Sequence, residues 1–285
     1  MSTVFFTDTD CEMSYTDAEE LGIHVIGMPY TINDQEQVYD LGKNTDIDKF
    51  YSDMRNGAIA TTAALNSQDY LSYFEPVVAA GNDILYVHFS SELSGTFNYM
   101  RTAINILNEK YPDRTITCFD TKNICIGAGI QAIEACKLLN SGASVEEVIN
   151  FLTEFKDKIG IYFYVDSLLY LKRGGRIGAL SAVFGTMLNI KPILTVNEGK
   201  LEKLTTVKGV KKAVDYLVEK FETEYNGDDK YEVWIVDADN KQIGDEIAEK
   251  IRNSDKKVSI RRYPVGPVVG AHCGPGTVGI IFVKK

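Results

Sequence analysis

The sequence predicts an α/β fold of two α/β domains, the first with a mostly parallel sheet flanked by helices, the second smaller and mixed. Short β-rich segments alternate with longer helical patterns in the first half, which is typical of a parallel sheet covered on both faces. The second half adds a hairpin pattern. With 285 residues, 45% of them hydrophobic, the chain can bury two cores. We place the domain boundary at the change of pattern, giving domains 1–157 and 158–285.

The first domain alternates apolar, β-branched runs with amphipathic segments. The predicted strands are Thr3–Thr7, His24–Ile32, Ile84–Phe89 and Thr115–Phe119. The predicted helices are Ser67–Ala80, Gly95–Glu109, Gly129–Asn140 and Val145–Lys156. The last of these begins after a serine that is followed three residues later by a glutamate, the pattern of a capping box.

The second domain begins with a predicted strand and contains a polar turn, Asn197-Glu198-Gly199-Lys200, that indicates a hairpin. The predicted strands are Ile159–Val165, Pro192–Val196, Lys203–Val207, Tyr231–Val236, Val258–Tyr263 and Thr277–Val283. The predicted helices are Val210–Tyr225 and Gln242–Arg252. This order of elements favours a mixed sheet.

Charge and hydropathy exclude several classes of protein. The net charge is −10, so the surface repels phosphate backbones and nucleic acid is not an expected partner. No apolar run approaches the roughly 20 residues that span a bilayer, and the N-terminal sequence lacks the pattern of a signal peptide. Five cysteines without a C-x-x-C pair indicate reduced, buried thiols. We expect a cytoplasmic protein without stable membrane insertion and without a metal or other cofactor.

Three segments carry residues suited to binding. Ser94 stands where a helix begins, so its hydroxyl and the free N–H groups of the first turn form a seat for an anion. A loop of small residues, 60–66, precedes another helix. A glycine-rich segment, 264–277, places His272 in an uncharged loop, and Arg176 follows two glycines in a third element. Taken singly, each feature is better interpreted as a capped helix or a tight turn.

Two enzymatic alternatives remain open from the sequence. Asp8 and Asp10 follow the first strand as D-x-D, the pattern of magnesium-dependent phosphatases that use an aspartate as phosphoryl acceptor, with Asp237 and Asp239 as a second acidic pair. A serine hydrolase would use Ser94 and His272, but the nucleophile-elbow spacing is missing. The G-x-G-x-x-A segment 127–132 does not follow its strand directly, as a dinucleotide fingerprint requires.

Several ordered motifs together resemble the DegV family of bacterial fatty-acid-binding proteins, as one unit over about residues 3–283. The matching segments are Thr7–Asp10, Thr61-Thr62, His88–Phe97, Asp120-Thr121 with Gly127 and Gly129, Lys172–Ile177 and Gly266–Gly276. The resemblance implies two α/β domains around a long-chain fatty acid such as palmitate. It also implies roles in lipid transport or fatty acid metabolism, and a fatty acid kinase as partner that phosphorylates the bound acid.

The resemblance also implies the residues of the head-group site. The family's threonine and serine that hold the carboxylate correspond to Thr61 and Ser94, with Thr62 and Gly95 beside them. His272 and Arg176 are expected to border the same end of the ligand. Many members have Thr-Ser-Gln-Pro where this chain has Thr61-Thr62-Ala63-Ala64, so the loop lacks a rigid proline. Either threonine could face the ligand, and we choose Thr61.

In such a complex, the tail and the head group of the fatty acid contribute differently to the free energy of binding. Each buried methylene contributes about 0.8 kcal/mol, so a long tail supplies the affinity. An unpaired carboxylate in an apolar site costs several kcal/mol. Hydroxyl donors and a helix N-terminus offset that cost. A site of this kind requires no nucleophile, base or metal of its own, and we expect a non-catalytic lipid-binding protein.

Overall fold

The computed structural model describes residues 2–178 and 189–285. Its strands are β1 (Thr3–Asp8), β2 (His24–Ile26), β3 (Pro29–Ile32), β4 (Gln35–Val38), β5 (Thr61–Thr62), β6 (Asp83–His88), β7 (Ile116–Asp120), β8 (Ile159–Tyr164), β9 (Ile190–Asn197), β10 (Lys200–Lys208), β11 (Val233–Asp237), β12 (Ile260–Pro264) and β13 (Val278–Val283). Its helices are α1 (Tyr15–Leu21), α2 (Ile47–Arg55), α3 (Ser67–Ala79), α4 (Thr96–Lys110), α5 (Ile126–Asn140), α6 (Val145–Phe155), α7 (Leu169–Arg173), α8 (Val210–Glu224), α9 (Lys241–Arg252) and α10 (Pro267–Cys273).

The described strands form a parallel sheet, a mixed sheet and a small antiparallel sheet, which confirms the predicted fold class. The parallel sheet has the order β2-β1-β6-β7. The mixed sheet has the order β10-β9-β8-β13-β11-β12, and its β9–β10 pair is the predicted hairpin. Strands β4, β3 and β5 form the antiparallel sheet, which the sequence did not indicate.

The two larger sheets share one apolar core. Phe6 of the parallel sheet and Ile161 and Trp234 of the mixed sheet belong to the same buried cluster. A second cluster fills the space between the mixed sheet and helices α8 and α9. The change of sheet falls between β7 and β8, and the domain boundary at residue 157 stays a prediction. None of the helices in the described ranges combines the length and apolarity needed to cross a bilayer.

The predicted strand His24–Ile32 is wrong in one respect, because the structure divides it between two sheets. Strand β2 pairs with β1, whereas β3 pairs with β4 and β5. Gly27 lies at the break, where a Cβ atom would lie 2.3 Å from the Val38 side chain. The chain therefore crosses closely over β4 at this glycine, and a bulkier residue would hold the two segments apart.

The glycine-rich segment near the C-terminus contains a helix where the sequence indicated only a loop. Pro267 occupies the first turn of α10, where its fixed φ angle and missing N–H are both accommodated. Gly266 and Gly270 lie directly against the rings of Tyr39 and Tyr51. Because a Cβ at either glycine would come within 2.5 Å of a tyrosine atom, the glycines permit close helix packing rather than a flexible loop.

Gly129, one of the glycines in the G-x-G-x-x-A segment 127–132, has a role in packing. Helix α5 begins at Ile126, earlier than predicted, so Gly127 and Gly129 both lie inside its first turns. A Cβ at Gly129 would lie 2.3 Å from the backbone oxygen of Cys11, in the turn after β1. The glycine brings the helix against the backbone that carries the acidic residues of the N-terminal motif.

We predict that Gly129→Ala destabilises the protein by about 1–3 kcal/mol, because the clash is with backbone that cannot rotate away. Gly95→Ala is the matched control: Gly95 has a φ of −75°, and a methyl group added there would meet nothing within 4 Å. Urea unfolding measures both variants. Equal stability of the two variants would contradict the packing role.

Candidate functional site

A cavity of about 150 Å³ lies between the two α/β halves of the molecule. Its walls are mainly apolar and come from the ends of β6 and β8, from β10, and from helices α7 and α10. The apolar residues include Met28, Phe89, Leu93, Phe163, Leu171, Leu201 and Val268. Polar side chains reach the same cavity from both halves, and they include four of the predicted site residues.

Ser94 lies at the cavity, one residue before the predicted helix start. Helix α4 begins at Thr96 and its N-cap residue is Gly95, so the prediction of Ser94 as the N-cap is wrong by one position. The Ser94 hydroxyl still accepts a hydrogen bond from the Thr96 N–H at 3.2 Å. Since that bond uses a lone pair, the hydroxyl proton stays available for a ligand oxygen. The positive end of the helix dipole adds to the attraction for an anion.

Thr62, and not Thr61, lines the cavity. The two residues form β5, in which successive side chains point to opposite faces. Thr61 is exposed and pairs with Thr31, whereas Thr62 is half-buried. The structure therefore differs from the expectation that Thr61 faces the ligand.

His272 holds the Thr62 hydroxyl in place. The distance between His272 Nε2 and Thr62 Oγ1 is 2.9 Å. Burial, together with the nearby charge of Arg176, lowers the pKa of His272 to about 4, so the ring is neutral at pH 7. Nδ1 has no partner among the described residues, and we assign the proton to Nε2, which donates to Thr62. The Thr62 proton then remains available to a ligand, as at Ser94.

Arg176 is fixed beside these groups by two backbone carbonyls. Its Nε donates to the Leu93 oxygen at 2.9 Å, and a terminal nitrogen donates to the Gly174 oxygen at 2.6 Å. These bonds use two of its five N–H donors. A Cβ at Gly174 would lie 2.0 Å from His272 Nδ1. This glycine therefore permits the segment that carries Arg176, the arginine loop, to approach the histidine closely.

Three acidic residues at and just after the end of β1 are all buried, but their surroundings differ. Asp8 accepts bonds from the Tyr86 hydroxyl at 3.0 Å and the Phe89 N–H at 3.2 Å. Glu12 accepts from the Gly266 N–H with both oxygens, each at 2.9 Å. Asp10 lines the cavity, and its Oδ1 has no partner in the described part of the chain. Burial raises the pKa of all three carboxyl groups, that of Glu12 to about 8.

These contacts give no support to the phosphatase alternative. Asp8, the predicted phosphoryl acceptor, is wholly buried and bonded to backbone and tyrosine. Asp237 accepts from Arg262 at 2.8 Å, and Asp239 pairs with Arg55. Within residues 2–178 and 189–285, no three His, Cys, Asp or Glu side chains are grouped as metal ligands.

Ser94, Gly95 and Arg176 also border a second hollow. It is more polar, measures about 570 Å³ and includes Lys200 and Glu202. Ser94 and Arg176 therefore lie where the cavity adjoins this polar surface. Gly95 borders both spaces with its backbone alone.

The amino-acid sequence matches one family model over nearly its whole length. The profile described as "Uncharacterised protein, DegV family" matches residues 2–285. This chain belongs to the DegV family. A DegV domain-containing protein of Clostridium perfringens is 34% identical over 281 residues, covering 98% of this chain and 97% of its own. A second relative, from Lactococcus lactis, is 33% identical over the whole of this chain and 99% of its own.

Solved structures of DegV proteins share the fold over essentially the full chain. The Thermus thermophilus protein, described by its fatty acid binding, has 26% identity and a TM-score of 0.89, with all of both chains covered. A Thermotoga maritima protein described as revealing a fatty acid binding function has 28% identity and a TM-score of 0.82, with 99% of each chain covered. These comparisons confirm the predicted family and the α/β fold.

Sequence reasoning placed Ser94, His272 and Arg176 among the site residues, and the structure brings all three to one cavity with Thr62. Asp10 belongs to a segment that resembles the family, but a role was given to it only as a phosphatase residue, and its place in the cavity wall was missed. Its position two residues after a buried strand was the available signal. The pattern does not distinguish Asp10 from Asp8 and Glu12, because their environments depend on residues as far as 254 positions away.

We predict that Glu12→Gln reduces the loss of stability with rising pH. Glu12 has a folded-state pKa of about 8, above its value in the unfolded chain, so unfolding releases a proton between about pH 4.5 and 8. Stability therefore falls as pH rises through this range. The amide removes this contribution, which amounts to a few kcal/mol at most.

Urea unfolding at pH 5, 6.5 and 8 measures this effect, with the exposed Glu146→Gln as control. The slope of unfolding free energy against pH should be shallower in Glu12→Gln and unchanged in the control. An unchanged slope in both variants would show that Glu12 ionises normally in the folded protein.

Proposed function

We propose that this protein binds a long-chain fatty acid in the cavity between its two halves and has no catalytic activity of its own. The observation that carries the proposal is that two hydroxyl groups line one apolar cavity, Ser94 from the turn before α4 and Thr62 from β5. Ser94 accepts a bond from the Thr96 N–H, and with the proton assigned to His272 Nε2, Thr62 accepts one from the histidine, so both hydroxyls have a proton to donate. Related proteins described as fatty acid binding share the fold.

The proposed head-group site contains Ser94, Thr62, His272 and Arg176. Two hydroxyl donors and the N-terminus of α4 replace the water that a carboxylate gives up. Arg176 adds positive charge near the same end of the cavity, where its field already acts on His272. Thr62 takes the role that the family resemblance suggested for Thr61, because it is the threonine that lines the cavity.

The tail of the ligand would lie along the apolar wall. A dry cavity of about 150 Å³ accepts a guest of roughly benzene size. A tail of more than about six carbons therefore requires side chains to move. Met28 and Leu201 line the cavity, and the unbranched thioether of Met28 adapts its shape readily.

The direct test of the function is extraction of lipid from the protein freshly purified from a bacterial host. Mass spectrometry of the organic extract should give long-chain fatty acids at about one molecule per protein chain. An extract free of fatty acid, together with no binding of added hexadecanoate, would overturn the proposal.

We predict that Ser94→Ala and Thr62→Val each weaken hexadecanoate binding by about tenfold to a hundredfold, because each loses a hydrogen bond to a charged group. Thr61→Val is the matched control, since Thr61 is the neighbouring threonine on the opposite face. Isothermal titration calorimetry measures the dissociation constants.

The control should bind within about threefold of the unmodified protein, which is the range of a surface substitution. Equal losses at Thr61 and Thr62 would show a general effect on the loop rather than contact with the head group. Retained binding in both Ser94→Ala and Thr62→Val would place the carboxylate elsewhere.

We further propose that the bound acid is presented to a fatty acid kinase. The head-group end lies beside the polar hollow at Ser94 and Arg176, so a second protein could reach the carboxylate there. The cavity offers hydroxyls and a neutral histidine, which hold a carboxylate without reacting with it. Incubation with such a kinase, ATP and hexadecanoate should give an acyl phosphate only when this protein is present. Equal product without it would contradict the partnership.

A further inference from the structure

Asp10 has a position that neither structural packing nor the head-group site described above explains. The residue is only 6% exposed, in the turn after β1. It lines the same cavity as Ser94, Thr62, Arg176 and His272. Buried polar atoms in folded proteins nearly always have hydrogen-bond partners, yet Asp10 Oδ1 has none among the described residues.

The neighbouring acids provide an internal comparison. Asp8, two residues earlier, accepts bonds from Tyr86, Phe89 and the Asp10 N–H. Glu12, two residues later, accepts from Gly266 with both oxygens. Neither of these two carboxyl groups lines the cavity. The acid that faces the cavity is therefore the one whose oxygen lacks a partner within the described ranges.

The charges around Asp10 favour a neutral carboxyl group. Burial opposes ionisation, and Asp8 and Glu12 lie close enough to oppose it further, so the pKa of Asp10 is raised well above its ordinary value. Arg176 acts in the opposite direction as a nearby cation. An ionised Asp10 could only accept hydrogen bonds, whereas the neutral acid has one O–H to donate.

Asp10 lies in the same cavity wall as the residues of the proposed head-group site. Arg176 and His272 line this wall with it, and His272 is bonded to Thr62. A ligand carboxylate held by Ser94 and Thr62 would thus lie near Asp10. Two carboxyl groups in one site share a single proton, because both cannot be ionised at close range.

We propose that Asp10 is a further head-group residue, whose carboxyl O–H donates a hydrogen bond to the carboxylate of the bound fatty acid. The inference rests on the proposed function and specifies the chemistry of the ligand: an anionic acceptor, favoured over neutral esters of the same length. The proton stays on Asp10, and no bond to the ligand is made or broken.

The test compares two substitutions at this position with two ligands. Asp10→Asn keeps the shape and retains an N–H donor, whereas Asp10→Leu keeps the size and removes all hydrogen bonding. For hexadecanoate, Asp10→Asn should bind within about threefold of the unmodified protein, and Asp10→Leu about tenfold to a hundredfold more weakly. For the methyl ester, the difference between the two variants should be at least about threefold smaller, since bonds to neutral acceptors are weaker.

Hexadecanoate binding by Asp10→Leu that equals or exceeds that of the unmodified protein would overturn the inference. Equal losses for the acid and the ester would also overturn it, because they would show an effect of shape alone. Carbon NMR of hexadecanoate labelled at C1 provides a measurement that does not require the leucine variant to fold. The bound resonance should shift between the unmodified protein and Asp10→Asn, and an unchanged resonance would contradict contact.

Failure of this inference is distinguishable from failure of the proposed function. If the unmodified protein binds hexadecanoate and Ser94→Ala weakens that binding, the fatty-acid site stands whatever the Asp10 variants do. If the unmodified protein does not bind hexadecanoate, the function itself fails.

Discussion

A carboxylate leaves water only where hydrogen-bond donors replace the water molecules it loses. In this protein the cavity wall is largely apolar, so the few donors that reach it decide which head group can enter and in which direction. Ser94 and Thr62 meet this requirement in the same way. Each hydroxyl is oriented by an N–H of the protein, from Thr96 in one case and, with the proton assigned to Nε2, from His272 in the other. Their protons are thereby directed to a partner that residues 2–178 and 189–285 do not supply.

Close backbone approaches hold these donors in position. Gly174 allows the arginine loop to touch His272, and Gly270 allows α10 to lie against Tyr51. The Tyr51 hydroxyl donates in turn to the Val265 oxygen at 2.7 Å, which ties α2 to the segment before α10. Glu12 fixes the start of the same helix through the Gly266 N–H. The glycine-rich motif therefore permits close packing, and its histidine contacts both Gly174 and the Thr62 hydroxyl.

Local patterns predicted much of the fold. The Ser144–Glu147 capping box begins α6 as the sequence indicated, and the turn after Asn197 forms the expected hairpin. Helix α10 was missed because glycines weaken a helical pattern, and its stability depends on Tyr39 and Tyr51, which are distant in sequence. The strand predicted at His24–Ile32 is likewise interrupted by a tertiary contact, because Gly27 packs against Val38 of β4 at the point where β2 ends and the chain continues to β3.

The sequence predicted which segments form the site, but it predicted less well which side chains of those segments face the cavity. Ser94, His272 and Arg176 follow from motif resemblance, but the choice between Thr61 and Thr62 depends on which face of β5 meets the cavity. The role proposed for Asp10 depends on an oxygen without a partner among the described residues, which only the assembled structure can reveal.

The central claim is that two neutral hydroxyl donors, Ser94 and Thr62, hold an acidic head group inside the protein. A crystal structure of the protein with hexadecanoic acid tests it most directly. The account predicts carboxylate oxygens within about 2.5–3.2 Å of Ser94 Oγ and Thr62 Oγ1, with the tail along the Phe89 and Val268 walls. A carboxylate bound away from both hydroxyls, or a tail outside this cavity, would contradict it.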